Sequence, residues 1–369
     1  MPPLTRQRTP QSLHSEWSRS SLGATISIHA LAKPLMKVMY HRAVLDLIKR
    51  QQDIPLSTET MQIYESYLGS KYVAETTKTV ILGEIHKRAL VEVEVQAHII
   101  SDFLGSYDIL LDSTNAVVRQ RTTWILAQLA FHSSTWGPVV TIQLSTRLVA
   151  LLGDGNPDVV EGACYALSQI ARDLDGARAV VEAGALDFIP ELLESTNVAV
   201  RQWTFRIVAE LGFHSSTQRA VVATQPSTRL VALLDDCNVD VVRGACYALS
   251  KITCDLDGAR AVVEAGALDL IPELLESTNV RVQQCTSWIL SQVAFHSSIQ
   301  GAVVAVRPST RLVALLGDGN VDVVKGACYA LANISHDLDG ARAVIKAGTL
   351  DFVAELIESP QAEPTCSLD

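Results

Sequence analysis

Three kinds of residue recur in this chain at spacings that could carry chemistry. Histidines stand at His132, His214 and His296, one in each 82-residue stretch. Histidine is a common metal ligand and general base. Neighbours two repeat layers apart cannot share one metal, so these read as residues that serve helix C-termini. Paired carboxylates stand at Asp173/Asp175, Asp255/Asp257 and Asp337/Asp339. Such a pair can supply an acid and a base, but a dyad copied three times in one kind of turn reads as helix caps and solvated charge. Asp154, Asn156 and Asp158 imitate the opening of a calcium loop. An EF-hand then needs Gly and Glu where this chain has Val159 and Tyr165. No glycine-rich phosphate loop, nucleophile elbow or zinc-ligand cluster is present. The expectation is a protein that is not an enzyme and uses no metal and no cofactor.

Composition narrows the class further. The chain has 369 residues and is 48% apolar but only 5% aromatic, so its core must be aliphatic. A net charge of -10 argues against a general nucleic-acid binder. No apolar run approaches the ~18 residues of a membrane span, and the N-terminus lacks the apolar core of a signal peptide. Neither nucleic acid nor integral membrane contact is expected. The seven cysteines include no CxxC pair, and Cys164, Cys246 and Cys328 are one position seen three times in the run GACYAL. These read as small buried thiols of a reduced protein, cytoplasmic, with the nucleus or the vacuole surface as other sites.

Repetition organises the chain. DLDGARAVVEAGALDFIPELLESTN, Asp173 to Asn197, returns at Asp255 to Asn279 and, more worn, at Asp337 to Ser359. STRLVALL starts at Ser145, Ser227 and Ser309, and FHSS at Phe131, Phe213 and Phe295. Each 82-residue block holds two related halves of about 41. Each half should contain three helical pieces, such as Ala177 to Glu182, Leu186 to Glu194 and Val198 to Phe213. Gly184, Gly266 and Gly348 should make corners that need φ > 0 or a close backbone approach. Asp187, Asp269 and Asp351 are expected to cap the second helix, which puts Pro190 and Pro272 in its first turn. Asp158 and Asn197 or their neighbours should cap the third. Stacking would then bury Leu192, Leu193, Ala166, Leu167 and Ile170 in one continuous core.

Outside the array, residues 1–30 read as a disordered tail. Residues 31–104 read as N-terminal helices with one degenerate repeat, KTVILGEI, that cap the array. Their first helix should run from Pro34 to about Gln52. It is basic, with Leu35, Val38, Leu45 and Ile48 on one face. A membrane-surface or partner-binding helix is one reading of it, and a cap over the open end of the array is the preferred one. The array occupies 105–359, and 360–369 form a second disordered tail. Its last unit shows two helices and then Pro360. Leu350, Val353, Leu356 and Ile357 are therefore expected to be partly uncovered, which allows self-association at that end.

A unit of about 41 residues that carries EAGALDFIPELLES and then VVEGACYALSQIA resembles the armadillo repeat, and YALANIS (Tyr329 to Ser335) is similar to the third-helix motif of that family. The likeness recurs in six successive units and covers about residues 105–359. The whole chain, including KPLMKVMYHR, is similar to fungal armadillo-repeat proteins. The resemblance implies an all-α, right-handed solenoid whose third helices line a concave groove, and a protein-binding scaffold or adaptor function.

The groove-lining positions, four residues apart on one helix face, are Gln120, Trp124, Gln128; Glu161, Tyr165, Gln169; Gln202, Arg206, Glu210; Arg243, Tyr247, Lys251; Gln284, Trp288, Gln292; and Lys325, Tyr329, Asn333. The blocks Ser145–Pro226 and Ser227–Pro308 agree at about 60 of 82 positions, and their differences are expected on this polar face. An aromatic followed four residues later by an amide is similar to the peptide-gripping ladder of importin-α. It recurs at Trp124–Gln128, Tyr165–Gln169, Trp288–Gln292 and Tyr329–Asn333, and fails at Arg206–Glu210 and Lys251. The ladder sums to -1 from Glu161 to Glu210 and to +3 from Arg243 to Asn333. A basic half favours an acidic, extended peptide, in which respect the groove resembles that of the catenins. A nuclear-import adaptor, a relative of the fungal vacuolar armadillo protein, and a duplicated array without a groove ligand remain alternatives.

Overall fold

A computed structural model describes residues 25–52, 54–130 and 138–352. Every regular element among them is helical. The chain divides into two compact units, Met1–His98 and Ile99–Asp369. That boundary falls several residues before the one expected from the repeats. Residues 360–369 lie outside the described residues.

In the first unit the opening helix spans Thr25–Arg50, so it starts nine residues before Pro34, which lies inside it. Residues 25–30, expected to be part of a disordered tail, are helical here. Val44 is fully buried and Met36, Tyr40, Leu47 and Ile48 are half-buried, while Leu35, Val38 and Leu45 point to solvent. Helices Thr58–Leu68 and Glu75–Ala89 follow. Arg88 ties this unit together. Its guanidinium donates to the carbonyls of Gln51, Gln52 and Ile54 just past the opening helix, and to Glu84 and Glu92. A planar five-donor group is suited to closing a helix C-terminus in this way.

In the second unit six long helices recur, labelled here α1 Ala116–Ala130, α2 Pro157–Ile170, α3 Val198–Phe213, α4 Val239–Ile252, α5 Val280–Phe295 and α6 Val321–Ile334. Each packs on the next through its small and aliphatic side. Asparagines at 156, 197, 238, 279 and 320 cap α2 to α6, each accepting from a backbone N–H one or two residues into the helix. The predicted cap Asp158 instead supplies the N–H that Asn156 receives.

Short helices join the long ones. Leu174–Glu182 and Leu256–Glu264 begin three residues earlier than Ala177 and its repeat suggest, because Asp173 and Asp255 cap them. Gly184, Gly266 and Gly348 have φ of 86, 85 and 90°, as their recurrence requires. Asp187 and Asp269 are not caps. The left-handed glycine itself precedes the helix, and the aspartate lies inside its first turn. Pro190 sits at the first turn of Ile189–Leu193, whereas Pro272 lies inside a continuous Ala267–Leu275 helix.

The interior is aliphatic. Ala166, Leu167, Ile170, Leu192 and Leu193 are all 5% exposed or less. A buried Leu or Ile contributes roughly 1.5–3 kcal/mol, so many small increments hold the stack. The differences between blocks reach this interior, contrary to expectation. Phe205 and Ser287 occupy the same buried position, and half-buried Trp203 stands where the later block has buried Cys285. At the outer surface, Arg229 and Arg311 of the STRLVALL runs pair with Glu194 and Glu276 of the preceding unit at 2.9 and 2.5 Å. These exposed pairs add little stability.

Two corners lack glycine. Gln225 and Arg307 take φ of 51 and 48°, at the places where the other units use glycine. A side chain in that region costs about 1–2 kcal/mol. Gln225→Gly and Arg307→Gly should each raise the unfolding midpoint, by about 1 kcal/mol in a denaturant melt. Gly184→Ala should lower it by a similar amount.

Candidate functional site

The ladder is carried by α1 to α6, whose four-residue spacing puts each trio on one face. Most of the predicted positions are accessible. Gln120, Trp124, Gln128, Glu161, Tyr165, Gln202, Arg206, Glu210, Tyr247, Lys251, Gln284, Trp288, Gln292 and Asn333 are half-buried, and Arg243, Lys325 and Tyr329 are exposed. Gln169 is the exception at 3% exposure. Its amide nitrogen reaches Ser168 Oγ at 3.4 Å, and its Oε1 has no partner. It cannot hold a ligand backbone from there.

The aromatics contact one another across layers. Trp124 and Tyr165 lie 5.2 Å apart between ring centroids, and Tyr165 and Trp203 4.3 Å. Trp288 stacks on Tyr329 at 5.3 Å. Trp203 was not among the predicted residues. It stands one position after Gln202 and three before Arg206, and that i,i+3 relation to the ladder was the available signal. Close approach of the long helices makes these contacts possible. A Cβ at Gly162 would lie 2.1 Å from Thr123 Oγ1, and one at Gly244 2.2 Å from Phe205 Cδ2.

The charges are not equally free. Arg206 approaches Glu210 at 3.7 Å, so that rung neutralises itself. Arg243 pairs with Asp240 at 3.0 Å on an exposed surface. Burial and the neighbouring Asp158 push the Glu161 carboxyl up, against a hydrogen bond from Asn197. The Lys251 ammonium sits 4.6 Å over the Phe213 ring and 5.8 Å over Tyr247, and it forms no ion pair among the described residues. Lys325 forms no ion pair among the described residues. Asn333, the ladder position that keeps Asn, donates its amide to Ser291 O at 2.9 Å and Ser291 Oγ at 3.0 Å. That amide tethers α6 to α5, leaving its oxygen for a ligand.

Most of the other recurring polar residues prove structural, but the buried Nε2 of His296 has no hydrogen-bond partner among the described residues. Asp173, Asp255 and Asp337 are N-caps. Asp154 accepts two bonds from Arg119 and one from Asn156 N. Burial raises its pKa, but those donors outweigh burial and hold the carboxyl below its usual range. His214 ends α3 and its Nε2 donates to the carbonyls of Ala171 and Arg172 at 3.2 Å, past the end of α2. His132 lies outside the described residues.

A scan of protein-family models and a search of curated proteins both find no match. Solved structures do match. An engineered protein from a structural genomics consortium is similar with a TM-score of 0.72 and 24% identity, over 82% of this chain and 75% of that one. A designed armadillo repeat protein in complex with the peptide (KR)4 is similar with a TM-score of 0.56 and 24% identity, over 59% of this chain and 93% of that one. Computationally designed armadillo repeat proteins for modular peptide recognition give a TM-score of 0.55 at 23% identity, over 62% and 98% of the two chains. The fold is therefore an all-α solenoid of the armadillo kind.

Burial sets the reactivity of the thiols behind the ladder. It pushes Cys164 and Cys246 up to about 12 and Cys285 to about 11. A thiol reagent at pH 8 should label the exposed Cys237, Cys254 and Cys328 in the native protein, and those three buried thiols only on unfolding. Labelling of the three buried thiols at the same rate as the three exposed ones would mean that the long helices separate readily.

Proposed function

We propose that the chain is a non-catalytic scaffold of the cytoplasm that binds an extended segment of a partner protein along the face of α1 to α6. The observation that carries this reading is the accessible row of aromatic and polar side chains on successive helices. Peptide-binding surfaces use such aromatics because they offer large contact area at low entropic cost. The designed neighbours named for peptide recognition support it by analogy of fold. Free buried thiols support a reducing compartment.

The sign of the ligand follows from Lys251 and Lys325. One designed neighbour holds the basic peptide (KR)4. Two cations on the α4-to-α6 half that have no carboxylate partner among the described residues disfavour a ligand of that kind here, and complement an acidic one. Arg243 contributes less than its formal charge, because Asp240 already faces it.

A second reading concerns α6. Val321, Val324, Lys325, Cys328, Tyr329 and Ala332 follow helical spacing and line an open groove of about 480 Å³ with Asp318. On α2 and α4 the equivalent Cys164 and Cys246 are fully buried by the next helix, while Cys328 is exposed. A second copy suits this stripe, since Lys325 of one can meet Asp318 of the other. Leu350, also predicted to be uncovered, is 61% exposed nearby in the chain, and Val353, Leu356 and Ile357 lie outside the described residues.

Fluorescence titration with acidic and basic extended peptides tests the first reading. Acidic peptides should bind the wild type and weaken with salt. The triple variant Arg243→Glu, Lys251→Glu, Lys325→Glu should lose about 100-fold in affinity with its melting curve unchanged. Equal binding by the variant overturns the acidic assignment, and failure of both peptide classes removes the groove reading. Light scattering across a concentration series tests the second. A mass that stays monomeric, and is the same for Val324→Glu, sinks it.

A further inference from the structure

The opening helix Thr25–Arg50 has a second face that the rest of its unit does not use. Its inner face, Met36, Tyr40, Val44, Leu47 and Ile48, is half-buried or buried. Tyr40 meets Tyr67 edge-on at 5.5 Å, and His41 Nδ1 lies 3.0 Å from Thr77 Oγ1. The opposite side carries Leu35, Val38, Met39 and Leu45, which are 53, 52, 51 and 44% exposed. These four fall at i, i+3, i+4 and i+10, on one side of the helix. Arg42, Lys49 and Arg50 share that side with Asp46, whereas Lys37 lies on the opposite side; all four cations are exposed and none forms an ion pair among the described residues. Asp46 is the one acid on the described part of this helix.

Charge along the chain is correspondingly uneven. Residues 1–50 hold eight Lys and Arg against two acids, in a protein whose net charge is -10. A basic segment in an acidic chain reads as a site for a polyanion. Nucleic acid and an anionic bilayer are both polyanions, but they ask different things of the apolar residues. A phosphate backbone leaves Leu35, Val38 and Met39 in water. A bilayer interface takes them between its headgroups, while the Lys and Arg stems lie along the surface with their charges at the phosphates. No described helix is long and apolar enough to cross a membrane, so the contact is one of lying on the surface.

We infer that the outer face of Thr25–Arg50 docks the protein on an anionic lipid surface. Leu35, Val38 and Met39 supply the apolar insertion, and Arg42, Lys49 and Arg50 supply attraction to the headgroups. Both parts are needed, since a single weak signal gives only marginal, reversible binding.

Vesicle co-sedimentation of the full chain tests this. The probes are vesicles of 100% phosphatidylcholine and vesicles in which about one third is phosphatidylserine, a fraction chosen to give the surface negative potential. Binding should require phosphatidylserine and fall with salt. Leu35→Ser with Met39→Ser should weaken it at least about tenfold, and Lys49→Glu with Arg50→Glu by a similar factor. All four positions are exposed, so helicity and melting should be unchanged, and circular dichroism checks that. No binding by the wild type overturns the proposal. Loss on charge reversal alone, with the serine variant unaffected, also overturns it, since the apolar face then plays no part. Tighter binding to a DNA duplex than to vesicles, insensitive to the serine variant, reassigns the face to nucleic acid.

Discussion

The second unit depends on how closely the chain can turn after each even-numbered long helix. α2, α4 and α6 end at Ile170, Ile252 and Ile334, and six residues later a glycine lies against the final carbonyl. A methyl group at Gly176, Gly258 or Gly340 would sit 2.0, 2.1 or 1.9 Å from that oxygen. Backbone meets backbone there, so no rotamer change could relieve the contact. The next short helix starts at once, and its apolar side faces the layer just completed. The aliphatic stack follows from this tight return, repeated every 82 residues.

The character of the ladder follows in turn. Helices that approach across Gly162 and Gly244 bring large side chains on successive layers within reach of each other. Trp124, Tyr165 and Trp203 form one continuous apolar strip, and Trp288 and Tyr329 a shorter one. Such rings are held before any ligand arrives, which lowers the entropy lost on binding. Between the strips lie the self-paired Arg206–Glu210 rung and the Lys251 ammonium on its aromatic bed. The face is thus divided into apolar and cationic segments and does not repeat one subsite six times.

Much of this was legible in the sequence because repetition turns one weak signal into three. The boundaries of α3, the left-handed glycines and the helix role of His214 could all be read from residue type and position. What escaped depends on three-dimensional neighbours. Gln169 is in register with accessible ladder residues, yet it is buried. Asn333 looked like a ligand-binding amide, but Ser291 on the previous helix claims its donors. Trp203 was missed because the ladder was read at strict four-residue spacing, whereas real helix neighbours include three. Which side of the opening helix is buried was not legible, since both of its sides carry aliphatic residues and periodicity alone cannot rank them.

The turn after α3 holds one further consequence. His214 reaches back to carbonyls past the end of α2, and Gln218, four residues later, reaches forward to Ile252 O at the end of α4. One turn thereby clasps three consecutive layers. Gln300 makes the same forward reach to Asn333 O and Ile334 O. The turns after α2 and α4, built from DLDG, carry no His or Gln at these places. Coupling between layers therefore alternates in strength along the array. The forward reaches join α3 to α4 and α5 to α6, so the layers expected to open together straddle the boundaries of the duplicated blocks.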